Sequence, residues 1–397
     1  MIWIFANVTI GLSLFLVAYH HAVYPALLLA VSKFNRPRQL PEIDLTSEPE
    51  SLPAITLIIP AHNEAAVINE KIRNLSQLNY PKDKLTIILA LDGCSDDTMQ
   101  VARSAISDHC QHLDFNLVQY KQNIGKISVL NQQIGSVRTD LVALNDASAL
   151  INENGLRYAA ASFTDPDAGV VFATYRLRES GSEGERAYTL FQTNTKAKEA
   201  GLDSPIGGHG ALYFIRKSLW TPMPADTIND DFILPMGIIA AGKKGIYDQR
   251  IVATEIERTH VRQEFQRRIR IGAGNMQQVL RLPKLANPLR PWLALTYISG
   301  KGLRPFLPFL FLYALLVTSV MSVTSPPHLV LLLALLAFLL VGALVTVCRS
   351  NRTPKLLAWI GYLVEGHSAS FIGAIRILTG MPIRGWQPTE TVNLARR

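Results

Sequence analysis

Formal charge is scarce in this 397-residue chain: 18% of residues are Asp, Glu, Lys or Arg, against about a quarter in an ordinary soluble domain. Cysteine is scarcer still, with only Cys94, Cys110 and Cys348. An odd, scattered set excludes a disulfide framework and a cysteine metal cluster, and it fits a reducing compartment for the soluble part. No GxxxxGK[ST] segment is present, which argues against an ordinary P-loop ATPase. Internal repeats and low-complexity segments are absent. So are zinc-finger spacing and an aromatic–basic ribonucleoprotein motif. The net charge of +8 therefore points to anionic lipid or a polyanionic substrate, and away from nucleic acid.

Charge is missing altogether from two regions. Residues 2–32 and 305–348 contain no Asp, Glu, Lys or Arg. About 20 apolar residues suffice to cross a bilayer, so the first region is expected to be a transmembrane anchor. A cleaved signal peptide is the alternative, but it would want a basic start, a shorter apolar core and a small-residue cleavage site. Lys33, Arg36 and Arg38 follow at once and mark the cytoplasmic side. Residues 33–53 read as a linker. In the second region Ser325-Pro326-Pro327 separates two spans, and Arg349, Arg352 and Lys355 return the chain to the cytoplasm. Residues 349–397 hold either a third span or an interfacial hairpin, then a basic tail with Arg384, Arg396 and Arg397. The tail favours the hairpin.

Between these regions strands alternate with helices. Strands are expected at 55–59, 85–91, 115–120 and within 139–148, the last ending in Asp146, with helices ending near Leu75 and covering 127–136. This alternation implies a parallel sheet with right-handed crossovers. Further on come a strand at 169–175, a helix at 185–200, a glycine loop at 207–210, a strand at 211–215, a polar loop at 226–231, a helix at 232–241 and a strand at 246–254. Residues 54–260 thus form an α/β domain. Residues 261–304 are basic and amphipathic, suited to lie on anionic lipid.

Polar clusters fall where the strands end: Asn63 and Glu64, Asp92, Asp146, and after a longer gap Asp230 and Asp231. Asp146 closes an almost wholly apolar strand. Ligands of open α/β sheets bind beyond the carboxyl ends of the strands, although an Asp there also suits a helix cap. Four acidic clusters at one sheet edge, with Lys126 at a helix start, suit a nucleoside diphosphate with a divalent ion.

The order Pro60-Ala61-His62-Asn63-Glu64, Asp92 to Thr98, Gly125-Lys126 with Leu130-Asn131, Asp146-Ala147-Ser148, Gly207 to Gly210, Asp230-Asp231-Phe232 and Arg267 to Ile271 resembles the family-2 glycosyltransferases. Within them it is most similar to the membrane-embedded branch that includes cellulose, hyaluronan, chitin and poly-N-acetylglucosamine synthases. Ser299 to Pro305 and Trp386 to Thr389 also resemble segments of that branch. The resemblance implies a GT-A-like α/β fold, with a mostly parallel nucleotide-binding sheet, helices on both faces and transmembrane helices at both ends. It implies a nucleotide-sugar donor, usually UDP-linked, and a glycan or lipid-linked acceptor, with membrane lipid and export partners. It places the catalytic domain on the cytoplasmic face of a bacterial inner membrane.

By the same resemblance Pro60, Asn63, Glu64 and Asp92 would bind the donor, with Glu64 and Asp92 on uridine and ribose. Lys126, Arg267 and Arg270 would meet the diphosphate. Asp146 would hold diphosphate and Mg2+ or Mn2+, with His260 as a further metal ligand. Gly208, His209, Gly210 and Asp230 would border the acceptor. Asp231 would be the general base of an inverting displacement.

Two departures stand out. Ser148 replaces the second carboxylate of the family's Asp-x-Asp, which weakens the metal site. Ile271 replaces the Trp of Gln/Arg-x-x-Arg-Trp, which speaks against long-chain processivity. The leading expectation is a membrane-bound inverting glycosyltransferase that builds a cell-surface or exported polysaccharide; the alternative, which the missing Trp favours, is transfer of a single sugar onto a lipid-linked acceptor. Readings of another class are an inactive scaffold homologue and a membrane transporter. The apolar runs carry no charges that would mark an ion path.

Overall fold

The structure is a computed structural model and describes residues 1–34, 39–43, 52–178, 183–256, 264–348 and 353–381. His260, Arg36, Arg38, Arg349, Arg352 and the whole basic tail, with Trp386, lie outside these residues. The chain divides into two compact units, a sheet unit centred on Val31–His260 with Leu282–Ala294, and a helical unit of Met1–Ala30, Val261–Arg281 and Leu295–Ile383.

The chain opens with helices α1 (Ile2–Ala18) and α2 (Tyr24–Ser32), joined by a π-helical stretch at Tyr19–Val23. The sheet unit then runs β1 (Ile55–Ala61), α3 (Ile68–Leu75), β2 (Leu85–Asp92), α4 (Thr98–His109), β3 (Asp114–Tyr120), α5 (Lys126–Ser136) and β4 (Leu141–Asn145). It continues with β5 (Ala149–Ile151), α6 (Gly155–Ser162), β6 (Ala168–Leu177), α7 (Glu183–Leu202), β7 (Leu212–Arg216), α8 (Asp230–Ala240) and β8 (Lys244–Glu255).

These strands form one eight-stranded sheet in the order β3-β2-β1-β4-β7-β6-β8-β5. The first four strands are parallel, as the β/α alternation requires. Beyond β4 the sheet is mixed. β7 runs antiparallel to β4 and β6, and β5 antiparallel to β8, while β6 and β8 are parallel. Strand order reverses between β1 and β4, which makes their carboxyl ends the switch point where such sheets bind ligands.

The core explains why these segments are strands and helices. Leu57, Ile59, Ile87, Leu89, Leu141 and Ala143 are buried in one cluster, and β1, β2 and β4 are apolar on both faces, as buried parallel strands must be. Helix α3 packs Ile68, Ile72 and Leu75 into that cluster. Burying each of these side chains contributes roughly 1.5–3 kcal/mol.

Helices α9 (Glu264–Arg281), α10 (Pro291–Tyr297), α11 (Leu307–Ser322), α12 (Pro326–Cys348) and α13 (Lys355–Leu378) complete the chain. Among the described residues, two helices are long and apolar enough to cross a membrane: Trp3–Ser32, of 30 residues, and Pro326–Cys348, of 23. The expected span at 305–323 is shorter as built, and it qualifies only when paired with Pro291–Gly302 across a 63° bend. Residues 355–378, where either a span or a hairpin was expected, form one continuous helix. Within the helical unit α9 and α13 meet at glycines. A Cβ on Gly373 would stand 2.4 Å from Ala273 N and from Ile269 O, so the backbones approach as only glycine permits. His21 Nε2 lies 3.0 Å from His367 Nε2 in the same unit, and Arg268 Nη1 lies 3.3 Å from Glu365 Oε2.

Candidate active site

The loops after β1 and β2 interlock. Asn63 adopts φ 57°, a left-handed conformation that Asn tolerates better than bulkier residues. Its Oδ1 accepts from Ser95 N at 2.8 Å and its Nδ2 donates to Ser95 Oγ at 3.2 Å. Glu64 N donates to Thr98 Oγ1 at 2.8 Å. Asp92 is buried, and its two oxygens accept from Ile124 N at 2.7 Å and Gly125 N at 2.9 Å. That fixes the turn from which α5 starts. Gly125 takes φ 85° there, and Lys126 is the first helical residue. Asp96 Oδ1 accepts from Thr98 N at 3.0 Å, at the start of α4.

Asp146 follows β4 directly, and β5 comes next in place of a helix. Its carboxylate is therefore no helix cap. Its backbone N–H donates to Ala211 O at 3.2 Å, which ties the turn to the residue just after the glycine loop. Asn145, buried at the end of β4, donates from Nδ2 to the same carbonyl at 2.5 Å and to Ala149 O at 3.3 Å.

Lys126 joins the two acidic clusters. Its Nζ lies 2.9 Å from Asp146 Oδ1 and 3.3 Å from Asp230 Oδ2. Burial works against the ammonium, but the charges of Asp146, Asp230 and Asp231 outweigh it and hold its pKa above the ordinary lysine value. Asp230 and Asp231 occupy the first turn of α8, where the sequence had suggested a polar loop. A helix N-terminus favours negative charge, and that fixes both carboxylates on a rigid element. A Cβ on Gly210 would stand 3.4 Å from Asp231 Oδ2 and 3.6 Å from Asp146 Oδ2. Any side chain here would enter the space between the two acids.

Pro60, Lys126, Asp146, Gly210 and Asp230 thus line one cleft, together with Leu130, Leu144, Asn145 and Tyr213. His209 stacks on Tyr175, with ring centroids 3.5 Å apart. Arg267 and Arg270 belong to α9, in the helical unit.

Several residues of the site carried no motif. Lys196 of α7 donates to Gly207 O and Gly208 O, both at 2.8 Å, and Glu199 Oε2 accepts from Ile206 N at 3.0 Å. Lys71 of α3 is fully buried and donates to Asn145 Oδ1 and Ala149 O. Its signal was present. Residues 68, 71, 72 and 75 are the core face of an amphipathic helix, and a lysine stands among them. Burial lowers the Lys71 pKa to about 7, with Asp146 and Glu255 acting the other way.

Among the described residues, no group of three or more His, Cys, Asp or Glu side chains is placed to hold a metal ion. Asp146 offers one carboxylate, Ser148 stands where a second was expected, and His260 lies outside the described residues. This set does not build a resident metal site. It fits an ion that arrives with other oxygen ligands, such as a diphosphate and water.

A parallel sheet whose switch point carries this cleft, continued by antiparallel strands and flanked by helices, defines a GT-A-like fold. The solved mannosyltransferase PcManGT from Pyrobaculum calidifontis, in complex with GDP-Man and Mn2+, superposes with a TM-score of 0.71 at 22% identity, over 94% of this chain and 100% of that one. The chain matches the model of glycosyl transferase family 2 over residues 56–221, and that of glycosyl transferase family group 2 over residues 141–342. The second match takes in more than half of the chain, which belongs to this family.

Two curated relatives match in part. The probable glycosyltransferase YdaM of Bacillus subtilis (strain 168) is 29% identical over 133 residues, 32% of this chain and 31% of that protein. The beta-monoglucosyldiacylglycerol synthase of Trichormus variabilis is 27% identical over 201 residues, 46% of this chain and 41% of that protein. The chain thus matches less than half of the length of these relatives.

Proposed function

We propose that this chain is a membrane-attached, inverting glycosyltransferase that moves one sugar from a nucleotide-sugar donor, UDP-linked by preference, onto a lipid-carried acceptor. The observation that carries the reading is the cation Lys126 set between Asp146 and Asp230, with Asp231 beside them, at the switch point of the sheet. Lys126 is the group that would offset charge on the leaving diphosphate. Asp231 is the base that would take the proton of an acceptor hydroxyl as its oxygen attacks the anomeric carbon. Direct displacement inverts the configuration at that carbon. Asp146 is the residue that would hold Mg2+ or Mn2+, and such an ion, when bound, would add positive charge at the phosphate oxygens. Asn63, Glu64 and Asp92 would form the nucleotide end of the site. The glycine loop, with His209 stacked on Tyr175, would form its acceptor border.

Two features support a lipid-carried acceptor: the membrane-length helices, and Ile271 in place of a sugar-stacking Trp. The order of motifs shared with polysaccharide synthases supports a second reading, stepwise growth of an exported glycan. The test is incubation of detergent-purified protein with a panel of UDP- and GDP-sugars, lipid extract and Mn2+, with products sized by mass spectrometry. A single added sugar is expected. A ladder of products would establish the second reading. Asp231→Asn is expected to lower kcat by about 100- to 10,000-fold, the range of general-base catalysis. Full activity in that variant, or no product with any donor, would overturn the mechanism.

A further inference from the structure

Tyr213 lies in the middle of β7, paired in register with Leu144 on one side and Phe172 on the other. Its strand neighbours Leu212 and Phe214 join the main apolar core, whereas Tyr213 lines the cleft. It is fully buried, and its hydroxyl has no hydrogen-bond partner among the described residues. Most buried polar atoms in folded proteins are paired, and an orphan of this kind costs stability. A phenylalanine would fill the same volume without that cost, so folding alone gives no reason for the oxygen.

The cleft supplies one. Two carboxylates line it, Asp146 and Asp230, and they repel phosphate oxygens unless protons are offered alongside. Asn145 already spends its amide on Ala211 O and Ala149 O. Lys126 and Tyr213 are then the lining side chains with protons to give. Burial, and after it the charges of Asp230, Asp231 and Asp146, push the Tyr213 phenol well above its ordinary pKa. The O–H is retained as a donor throughout the working pH range.

We propose that the Tyr213 hydroxyl donates a hydrogen bond to an oxygen of the bound nucleotide-sugar, either on the diphosphate or on the transferred sugar. This rests on the reading of Asp146 as part of the donor site. Lys126 bridges Asp146 and Asp230 in the free protein; on donor binding it turns to the diphosphate, and the Tyr213 hydroxyl of the same lining meets the substrate oxygen. Tyr213 then contacts substrate directly and makes no bond to the fold that its loss would break.

Tyr213→Phe separates this role from a structural one. Full-length protein in detergent is compared with wild type by thermal unfolding, by titration with UDP and GDP, and by turnover of the nucleotide-sugar that the wild type uses. The phenylalanine variant is expected to unfold at the same temperature or higher, and to lose about 10- to 100-fold in kcat/KM, the range of one hydrogen bond to a charged or strongly polar partner. Weaker binding of the nucleotide alone assigns the acceptor oxygen to the diphosphate. Unchanged nucleotide binding with slowed turnover assigns it to the sugar. Wild-type binding and turnover overturn the proposal, as does a lower unfolding temperature, which would show the hydroxyl engaged by the fold. Asp146→Asn is run in parallel. If it keeps full nucleotide binding and activity, the donor-site reading fails. If it loses them while Tyr213→Phe does not, only the role of Tyr213 fails.

Discussion

Lys71 ties helix α3 to the turn between β4 and β5. It is a lysine with no exposed surface, and it reaches under the Asp146 turn to Asn145 Oδ1 and Ala149 O. Burial lowers its pKa to about 7 from an ordinary 10.5. Between these values the unfolded chain binds more protons than the native one, so stability rises with pH; below about 7 the full cost of a buried charge is present. Denaturant titrations of the wild type are expected to show a gain on the order of 2 kcal/mol between pH 7 and 9. Lys71→Met is expected to unfold more easily at pH 9, since Asn145 Oδ1 loses the Lys71 donor and Ala149 O keeps only Asn145 Nδ2, and to lack that rise. A variant that keeps the rise would assign it to another group.

At the scale of elements, two devices set the geometry. Helix α7 holds the glycine loop through Lys196, which donates to the Gly207 and Gly208 carbonyls, and through Glu199, which accepts from Ile206 N just before it. Helix α9 packs on α13 through Gly272 and Gly373, with no room for a side chain on the latter. Gly373→Leu is expected to drive the two helices apart and to cost about 1–3 kcal/mol, the usual range for overpacking. Thermal unfolding in detergent checks this, with Gly366→Leu as the control, because a Cβ on Gly366 meets nothing within 4 Å. Equal effects at the two sites would refute the close approach. The fate of 355–378 is also decided at this scale. Glu365, Gly366, His367 and Ser368 interrupt its apolar pattern, and the tail's charge favoured a hairpin. Glu365 meets Arg268 and His367 meets His21, so the polar residues face partners inside the unit and the helix continues through them.

At the scale of the whole molecule, the two membrane-length helices predict that the protein stays in the membrane pellet after an alkaline carbonate wash and is released by detergent. Release by carbonate alone would place it at the surface. The strand–helix alternation from Ile55 to Asn145 was legible because apolar runs bounded by Gly, Asp and Asn have few other readings. The antiparallel half was less so. β5 has three residues, and no local pattern reports which neighbour β7 will choose. The cleft was legible in the acids that line it, Asp146 and Asp230, and in Asp231 beside them. It was illegible in what holds the Asp146 turn, because Lys71 reaches Asn145 and Asn145 reaches Ala211 from far along the chain.

By itself, the sequence determined the class of fold, the apolar segments at either end and the polar residues that meet at one sheet edge. These follow from periodicity and composition, which are local properties of the chain. Tertiary structure alone decided that Lys126 would bridge Asp146 and Asp230, that Asp231 would lie in the first turn of a helix, that Asp92 would spend its oxygens on the backbone, and that the Tyr213 hydroxyl would be buried without a partner among the described residues. Each of these depends on which groups lie within about 3 Å in space, a distance that sequence separation does not encode.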